Sequence, residues 1–313
     1  MNLSTPNHSQ PEAPAAAQRE DRRPRNGQTR EHPPRPPASG PPQDFLGNRF
    51  VYVVLSPRAH GLSVGVDLAP ARLCSFDCIY CEVDRQSPPR EIRLEVEVMA
   101  AELEHTIQYV QSNRLREHPV FGQLPPDLCQ LRQVTLSGQG EPTLCSNFVE
   151  AVQAVVHLRA LGRLPYFKLV LVTNGTGLNL PTVQAGLKYF ALSDEIWIKL
   201  DVGTQEQMDF INRANVPLET VLDNIRLVGR QRPVVIQSLF AAYNAEEPSL
   251  EHIEQYAQRL RELRADGAQI AQVQIYSATR RSHNPLCTHL PLRSLSRIAQ
   301  LIRCATDLSV EVF

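Results

Sequence analysis

From residue 48 onward the hydrophobic positions fall into two alternating kinds of segment. Short, largely apolar runs occur at Phe50–Leu55, Leu62–Leu68, Gln133–Leu136, Lys168–Thr173, Glu195–Leu200, Val234–Leu239, Gln272–Tyr276 and Leu308–Val312, and each reads as a strand. Between them lie stretches of helical character at Glu91–Val110 and near 147–161, 181–191, 205–230, 250–266 and 291–305. Strands alternating with helices of this length predict βα units and a parallel sheet. Leu169–Val172 is wholly apolar, as a parallel strand covered on both faces should be. About six such units follow Leu62. They predict an α/β fold, a partial (β/α)6 TIM-like barrel occupying residues 46–313 with a C-terminal helix and strand extension. In barrels of this kind, polar residues at the C-terminal ends of the strands build the active site.

Composition changes the picture at the N-terminus. Residues 1–43 contain ten prolines, six arginines, four acidic residues and no aromatic. Such a segment has too little apolar surface to offset its ordering entropy, so residues 1–45 are expected to be a disordered tail. Its arginines leave open an arm for RNA or another partner. The whole chain has 313 residues, 42% hydrophobic and 21% charged, with 32 basic and 33 acidic residues and a net charge of −1. That balance excludes a strongly basic nucleic-acid binder but not a local basic patch. No apolar run approaches the roughly 18 residues of a membrane span, so no membrane partner is expected. With no basic-then-apolar leader, a cytoplasmic location is expected.

The sharpest chemical signal is Leu73-Cys74-Ser75-Phe76-Asp77-Cys78-Ile79-Tyr80-Cys81, in a loop directly after a strand. The chain has seven cysteines, and three fall within eight positions, which is poor disulfide arithmetic and better metal arithmetic. Close spacing lets three thiolates surround one soft centre, and thiolates select zinc or iron–sulfur clusters. A structural zinc site wants four ligands, and no second CxxC is present. Three ligands would leave one iron of a [4Fe–4S] cluster open to a substrate or cofactor. Cys129, Cys145, Cys287 and Cys304 are scattered singly and read as small buried hydrophobes. His283 and His289 flank Cys287, a weaker metal candidate.

The Cys74-x3-Cys78-x2-Cys81 loop, with aromatic Tyr80 before the third cysteine, resembles the radical S-adenosylmethionine (radical SAM) superfamily. The stretch from Ser56-Pro57-Arg58 to Gly61-Leu62-Ser63-Val64-Gly65-Val66-Asp67 resembles the group related to wyosine tRNA-modification Fe–S oxidoreductases. Ser137-Gly138-Gln139-Gly140-Glu141-Pro142-Thr143-Leu144 is similar to that group's version of the "GGE" motif. The likeness spans about residues 50 to 280. It implies that Cys74, Cys78 and Cys81 hold a [4Fe–4S] cluster and that S-adenosylmethionine (SAM) is bound beside it. It implies an enzyme in which a 5′-deoxyadenosyl radical abstracts hydrogen from a substrate, with a tRNA base or a small metabolite the candidates. A one-electron reductant such as flavodoxin or ferredoxin is the implied partner.

The remaining site candidates sit at strand ends. Gly138 and Gly140 allow close backbone approach to a ligand, and with Glu141 they suit an ammonium group. The resemblance assigns this segment to the SAM amino group. Thr173 and Asn174 end the next strand at the barrel mouth, where either would line the substrate or SAM site. In Glu195-Ile196-Trp197-Ile198-Lys199-Leu200-Asp201 the alternation puts Trp197, Lys199 and Asp201 on one face. The resemblance points to Asp201 for the SAM ribose hydroxyls. Lys199 is a candidate for Schiff-base chemistry, since a desolvated lysine is a nucleophile. Arg213 is a candidate for a carboxylate. Gln237 or Ser238, and Tyr276, are placed at the mouth by their strands.

Two rival readings use the same residues. One is a non-catalytic iron–sulfur or zinc-binding module, which predicts no SAM binding. The other is a glycyl-radical activase, which shares the cysteine loop but not the Ser56–Asp67 stretch.

Overall fold

A computed structural model describes residues 45–83, 93–278, 282 and 284–313. Residues 1–44 of the tail and His283 lie outside the described residues; Phe45, the last position assigned to the tail, is instead buried against Tyr109 and Phe121.

The main sheet has eight strands in the order β1-β2-β3-β4-β5-β6-β8-β10. These are β1 (Val51–Ser56), β2 (Gly61–Asp67), β3 (Leu131–Ser137), β4 (Lys168–Thr173), β5 (Glu195–Lys199), β6 (Val234–Leu239), β8 (Ile270–Tyr276) and β10 (Val310–Val312). β1 runs antiparallel to β2, and every later pairing is parallel. Strand order follows chain order because each helix returns the chain to the same growing edge, the right-handed crossover repeated. The result is an α/β half-barrel with β1 and β10 at its edges, the partial barrel that the strand–helix alternation predicts.

Helices α1 (Val96–Gln111), α2 (Phe148–Ala160), α3 (Pro181–Leu187), α4 (Gln205–Ile211), α5 (Leu218–Gly229), α6 (Leu250–Ala265) and α7 (Leu292–Thr306) cover the outer face. Val64, Val66, Val134, Leu136, Leu169, Leu171, Ile196, Ile198, Ile236 and Ile275 point into that layer and are almost wholly buried. The opposite parity faces the lumen of the curl. There Val170, Trp197 and Val235 form a separate small apolar cluster. Around it lie polar side chains: Ser63 bonded to Thr135 at 2.7 Å, Gln133 to Thr135 at 3.0 Å and Gln237 to Gln274 at 3.0 Å. A partly polar inner face set against a mainly apolar outer face separates the chemical side of the sheet from the supporting one.

Two differences from the sequence reading have physical causes. The helical stretch over 205–230 is two helices, because residues 212–217 leave helical geometry: Arg213 has φ 45° and Pro217 caps α5. A short antiparallel pair, β7 (Ala241–Tyr243) with β9 (Cys287–His289), was not predicted. Three-residue strands carry too little periodicity to register in the sequence.

Candidate active site

The cysteine loop leaves the C-terminal end of β2 and is tied down from three sides. From the end of β3, the Glu141 amide donates to the Leu73 carbonyl at 2.7 Å. From β4, Asn174 donates its side-chain amide to Ser75 Oγ at 2.9 Å and to Cys74 Sγ at 3.6 Å. From the break after α4, the carbonyls of Asn212 and Ile211 accept the amides of Asp77 and Ile79, both at 2.9 Å, while the Asn215 amide donates to Ser75 at 3.0 Å. A nine-residue loop with this much backbone pairing is held rigidly in place.

All three loop cysteines are half-buried and in no disulfide. Amide donors approach their sulfurs: the Phe76 backbone N–H reaches Cys74 Sγ at 3.5 Å, and Asn212 reaches Cys78 Sγ at 3.5 Å. N–H donors directed at sulfur are the usual surroundings of a metal-bound thiolate and set its potential. Burial pushes the Cys78 thiol up to about 11, with the Lys199 charge opposing it. Among the described residues no three His, Cys, Asp or Glu side chains are already drawn together as a ligand set. The soft donor set, the rigid loop and the N–H donors nonetheless fit a three-thiolate iron–sulfur cluster.

The two glycines after β3 have a specific steric reason. A Cβ at Gly140 would lie 2.0 Å from the Leu73 carbonyl oxygen, and one at Gly138 would lie 2.6 Å from Asp67 Oδ1 and 2.9 Å from the Ala69 amide. The close approach that these glycines permit is to the chain entering the cysteine loop. Glu141 is likewise turned inward and buried. Its carboxylate accepts the Thr143 amide at 3.1 Å, the Thr143 hydroxyl at 2.6 Å, the Asn174 amide at 2.7 Å and the Thr173 hydroxyl. Burial raises its pKa and these four donors lower it, leaving a net rise. Glu141 therefore clamps the ends of β3 and β4 together beneath the loop.

At the mouth, Tyr80, Asp201, Lys199 and Asn212 form one network. The Tyr80 hydroxyl donates to Asp201 Oδ2. Asn212 donates to Asp201 Oδ2 at 2.7 Å and to the Tyr80 oxygen at 3.1 Å. The Leu239 amide donates to Asp201 Oδ1 at 2.8 Å. Lys199 Nζ donates to Tyr80 at 3.1 Å and to Tyr276 at 3.4 Å, with Asp201 at 3.8 Å. Burial lowers the Lys199 pKa, but Asp201 and the Tyr276 hydroxyl override it and hold the group above its ordinary value. These partners favour the ammonium form, whereas a Schiff-base lysine reacts as the neutral amine. Gln237 lies next to Lys199 in register and is buried against Gln274. Arg213 lies outside this network: it is half-exposed and 3.8 Å from Asp77, an equally exposed residue of the cysteine loop.

Beside Tyr80 and Asp201 opens a cavity of about 490 Å³, walled by Ile79, Phe210, Leu239, Phe240, Tyr243 and His252. Its size is that of a small-molecule or cofactor site. Asn212 was not singled out in the sequence, although it bonds to the cysteine loop, the tyrosine and the aspartate at once. Its only sequence signal is the Asn-Arg step that interrupts an otherwise helical pattern before Pro217. Ser75, Asp67 and Arg58 were passed over for the same reason, since each gains its meaning from a partner far away in sequence.

No protein-family model matches the chain. It is 26% identical over 271 residues to a UPF0026 protein of Helicobacter pylori strain J99, covering 82% of this chain and 81% of that protein. It is 32% identical over 183 residues to the UPF0026 protein slr1464 of Synechocystis sp. strain PCC 6803, covering 56% of this chain and 58% of that protein. Among solved structures, TYW1 with a lysine–pyruvate adduct bound matches with a TM-score of 0.55 at 14% identity, over 84% of this chain and 87% of that one. Streptococcus suis SuiB bound to S-adenosylmethionine matches with a TM-score of 0.54 at 12% identity, over 82% of this chain and 51% of that one. A cysteine-to-alanine mutant of spore photoproduct lyase matches with a TM-score of 0.53 at 9% identity, over 83% of this chain and 78% of that one. The chain shares its fold with these proteins.

Proposed function

We propose that the chain is a radical SAM enzyme whose cluster is carried by Cys74, Cys78 and Cys81, and that residues 46–313 form its catalytic domain. The observation that carries this reading is the cysteine loop: three thiols at C-x3-C-x2-C spacing, placed after β2 of a half-barrel and braced by β3, β4 and the α4–α5 break. Cys74, Cys78 and Cys81 would hold a [4Fe–4S] cluster, which would supply one-electron reduction of SAM and through it hydrogen abstraction from the substrate. SuiB, a fold relative, binds S-adenosylmethionine, which supports a SAM site here.

The chain's own residues orient and protect. Asn174 and Asn212 direct N–H groups at the Cys74 and Cys78 sulfurs and so stabilise them as thiolates. The cavity beside Tyr80 and Asp201 offers apolar walls for a purine and a carboxylate for ribose hydroxyls. Glu141 and the Gly138–Gly140 turn set the height of the loop above the sheet, and the loop carbonyls there suit an ammonium group. Lys199 serves as a fixed cation, and Gln237 lines the lumen below it. Trp197, Val170 and Val235 give that lumen an apolar floor that keeps solvent from a radical.

The test is anaerobic reconstitution with iron and sulfide, followed by dithionite and SAM, with 5′-deoxyadenosine quantified. Product from the native chain and none from Cys78→Ala is expected. Bound zinc with no iron and no SAM binding would overturn the reading in favour of a binding module.

A further inference from the structure

The inner face of the sheet carries a further feature, which shares Lys199 with the mouth network. Arg58, in the short turn between β1 and β2, reaches across the curl to the far strands. Its guanidinium sits 4.5 Å from the Tyr276 ring centroid and 6.0 Å from that of Trp197. Lys199 Nζ lies 5.8 Å from the same Tyr276 ring. Two cations from opposite sides of the half-barrel thus converge on one aromatic ring, within about 10 Å of each other.

Among the described residues, neither cation has a carboxylate fully its own, and Arg58 has no ion pair. Asp201 stands 3.8 Å from Lys199, and its oxygens already accept from Tyr80, Asn212 and the Leu239 amide. Glu195 is taken by Lys168 at 2.7 Å and by the Trp197 indole at 2.7 Å. Asp67 accepts from the Ala69 amide and from Gln139. Asp201 offsets part of the Lys199 charge, and half-buried Arg58 has no carboxylate partner among the described residues, so the two cations leave a net positive field that a bound anion would neutralise. The same inner face of the sheet carries an orphaned acceptor. Gln133 is 1% exposed, and its Oε1 has no partner while its amide donates to Thr135. A buried acceptor in that state is matched by a ligand donor.

We infer that the lumen binds the anionic group of the substrate, a carboxylate or a phosphate, between Arg58 and Lys199. The inference rests on the proposed function in taking the lumen as the substrate chamber. The substrate is then an anionic small molecule that carries a hydrogen-bond donor able to reach Gln133.

Trp197 is the only tryptophan in the chain and forms part of this chamber, so its emission reports on the site alone. The reconstituted protein is titrated with acetate, inorganic phosphate and neutral acetamide while Trp197 emission is followed. A saturable change in the millimolar range with acetate or phosphate, and none with acetamide, is expected. The better of the two anions identifies the source of the charge. Arg58→Gln is expected to weaken that response by about tenfold. Arg58→Lys, which keeps the charge but not the fork, is expected to weaken it only a few-fold, and it decides the matter where Arg58→Gln does not fold. Absence of any saturable anion response, an equal response to acetamide, or an unchanged response in Arg58→Gln would overturn the proposal, as would complete loss of the response in a folded Arg58→Lys. Iron content measured on the same samples keeps the two claims apart. A chain with iron and no anion response loses only the anion site, and a chain with an anion response and no iron loses only the radical SAM reading.

Discussion

Asn212 joins the cysteine loop to the Tyr80–Asp201 pair, and its removal tests whether the network matters. In Asn212→Ala, Asp201, Tyr80 and the Cys78 sulfur each lose a donor. Leaving buried acceptors short of a partner costs about 1–3 kcal/mol. The urea midpoint is therefore expected to fall at unchanged slope, with SAM affinity falling by roughly tenfold as the Tyr80–Asp201 wall loosens. A variant that keeps its midpoint but loses SAM binding would confine the residue to ligand contact. Glu141→Gln makes a second test. Four donors face that carboxylate, and an amide would turn its NH₂ group toward some of them. A loss of about 1–3 kcal/mol in chemical denaturation is expected, against the gain that removing a merely strained buried charge would give. Both residues were within reach of sequence reading to different degrees. Glu141 was marked by its motif for a ligand's ammonium group, and its carboxylate in addition holds two strand ends together. Asn212 carried no motif, because its three partners lie at Cys78, Tyr80 and Asp201.

The strands were legible almost residue by residue, since parallel strands covered on both faces are nearly continuous apolar runs. Lys168–Thr173 and Val234–Leu239 match their predicted bounds. The 205–230 stretch was not, because Phe210-Ile211 and Leu218 keep a helical rhythm across a break that only the φ of Arg213 and the fixed ring of Pro217 reveal. That break does structural work: its carbonyls hold the cysteine loop. The opposite wall of the loop is the Gly138–Gly140 turn. Gly140→Ala would put a methyl 2.0 Å from the Leu73 carbonyl oxygen, which is backbone and cannot swing away. The loop would have to lift, breaking the Glu141–Leu73 bond and displacing Cys74. Iron per chain after reconstitution is expected to fall several-fold while far-ultraviolet circular dichroism stays native. Full iron loading in this variant would show that the loop tolerates displacement and that the brace from β3 is dispensable.

For the molecule as a whole, the sheet divides labour between its two faces. The outer face buries aliphatic side chains against seven helices, while the inner face carries the polar and charged groups and opens at the strand ends where the loop sits. His252 lies where the two regions meet, on α6 beside the mouth cavity and Asp201. Its Nε2 is buried without a partner, and Phe240 stands 6.2 Å away. Burial lowers its pKa from 6.5, and the Asp201 carbonyl and charge only partly oppose this. The sign of the consequence follows from linkage. Between the lowered folded value and 6.5 the unfolded chain binds the proton and the folded chain does not, so stability rises with pH across that window and is lost as pH falls through it. Acidification below 6.5 is therefore expected to lower the melting temperature, and His252→Gln, which cannot take up the proton, is expected to flatten that part of the profile. An equal slope in the variant would assign the acid sensitivity to other groups. A flattened slope would mean that the wall of the cavity beside Tyr80 and Asp201 loosens when His252 is protonated, so SAM affinity measured on the same samples should weaken over the same pH range in the native chain and not in the variant.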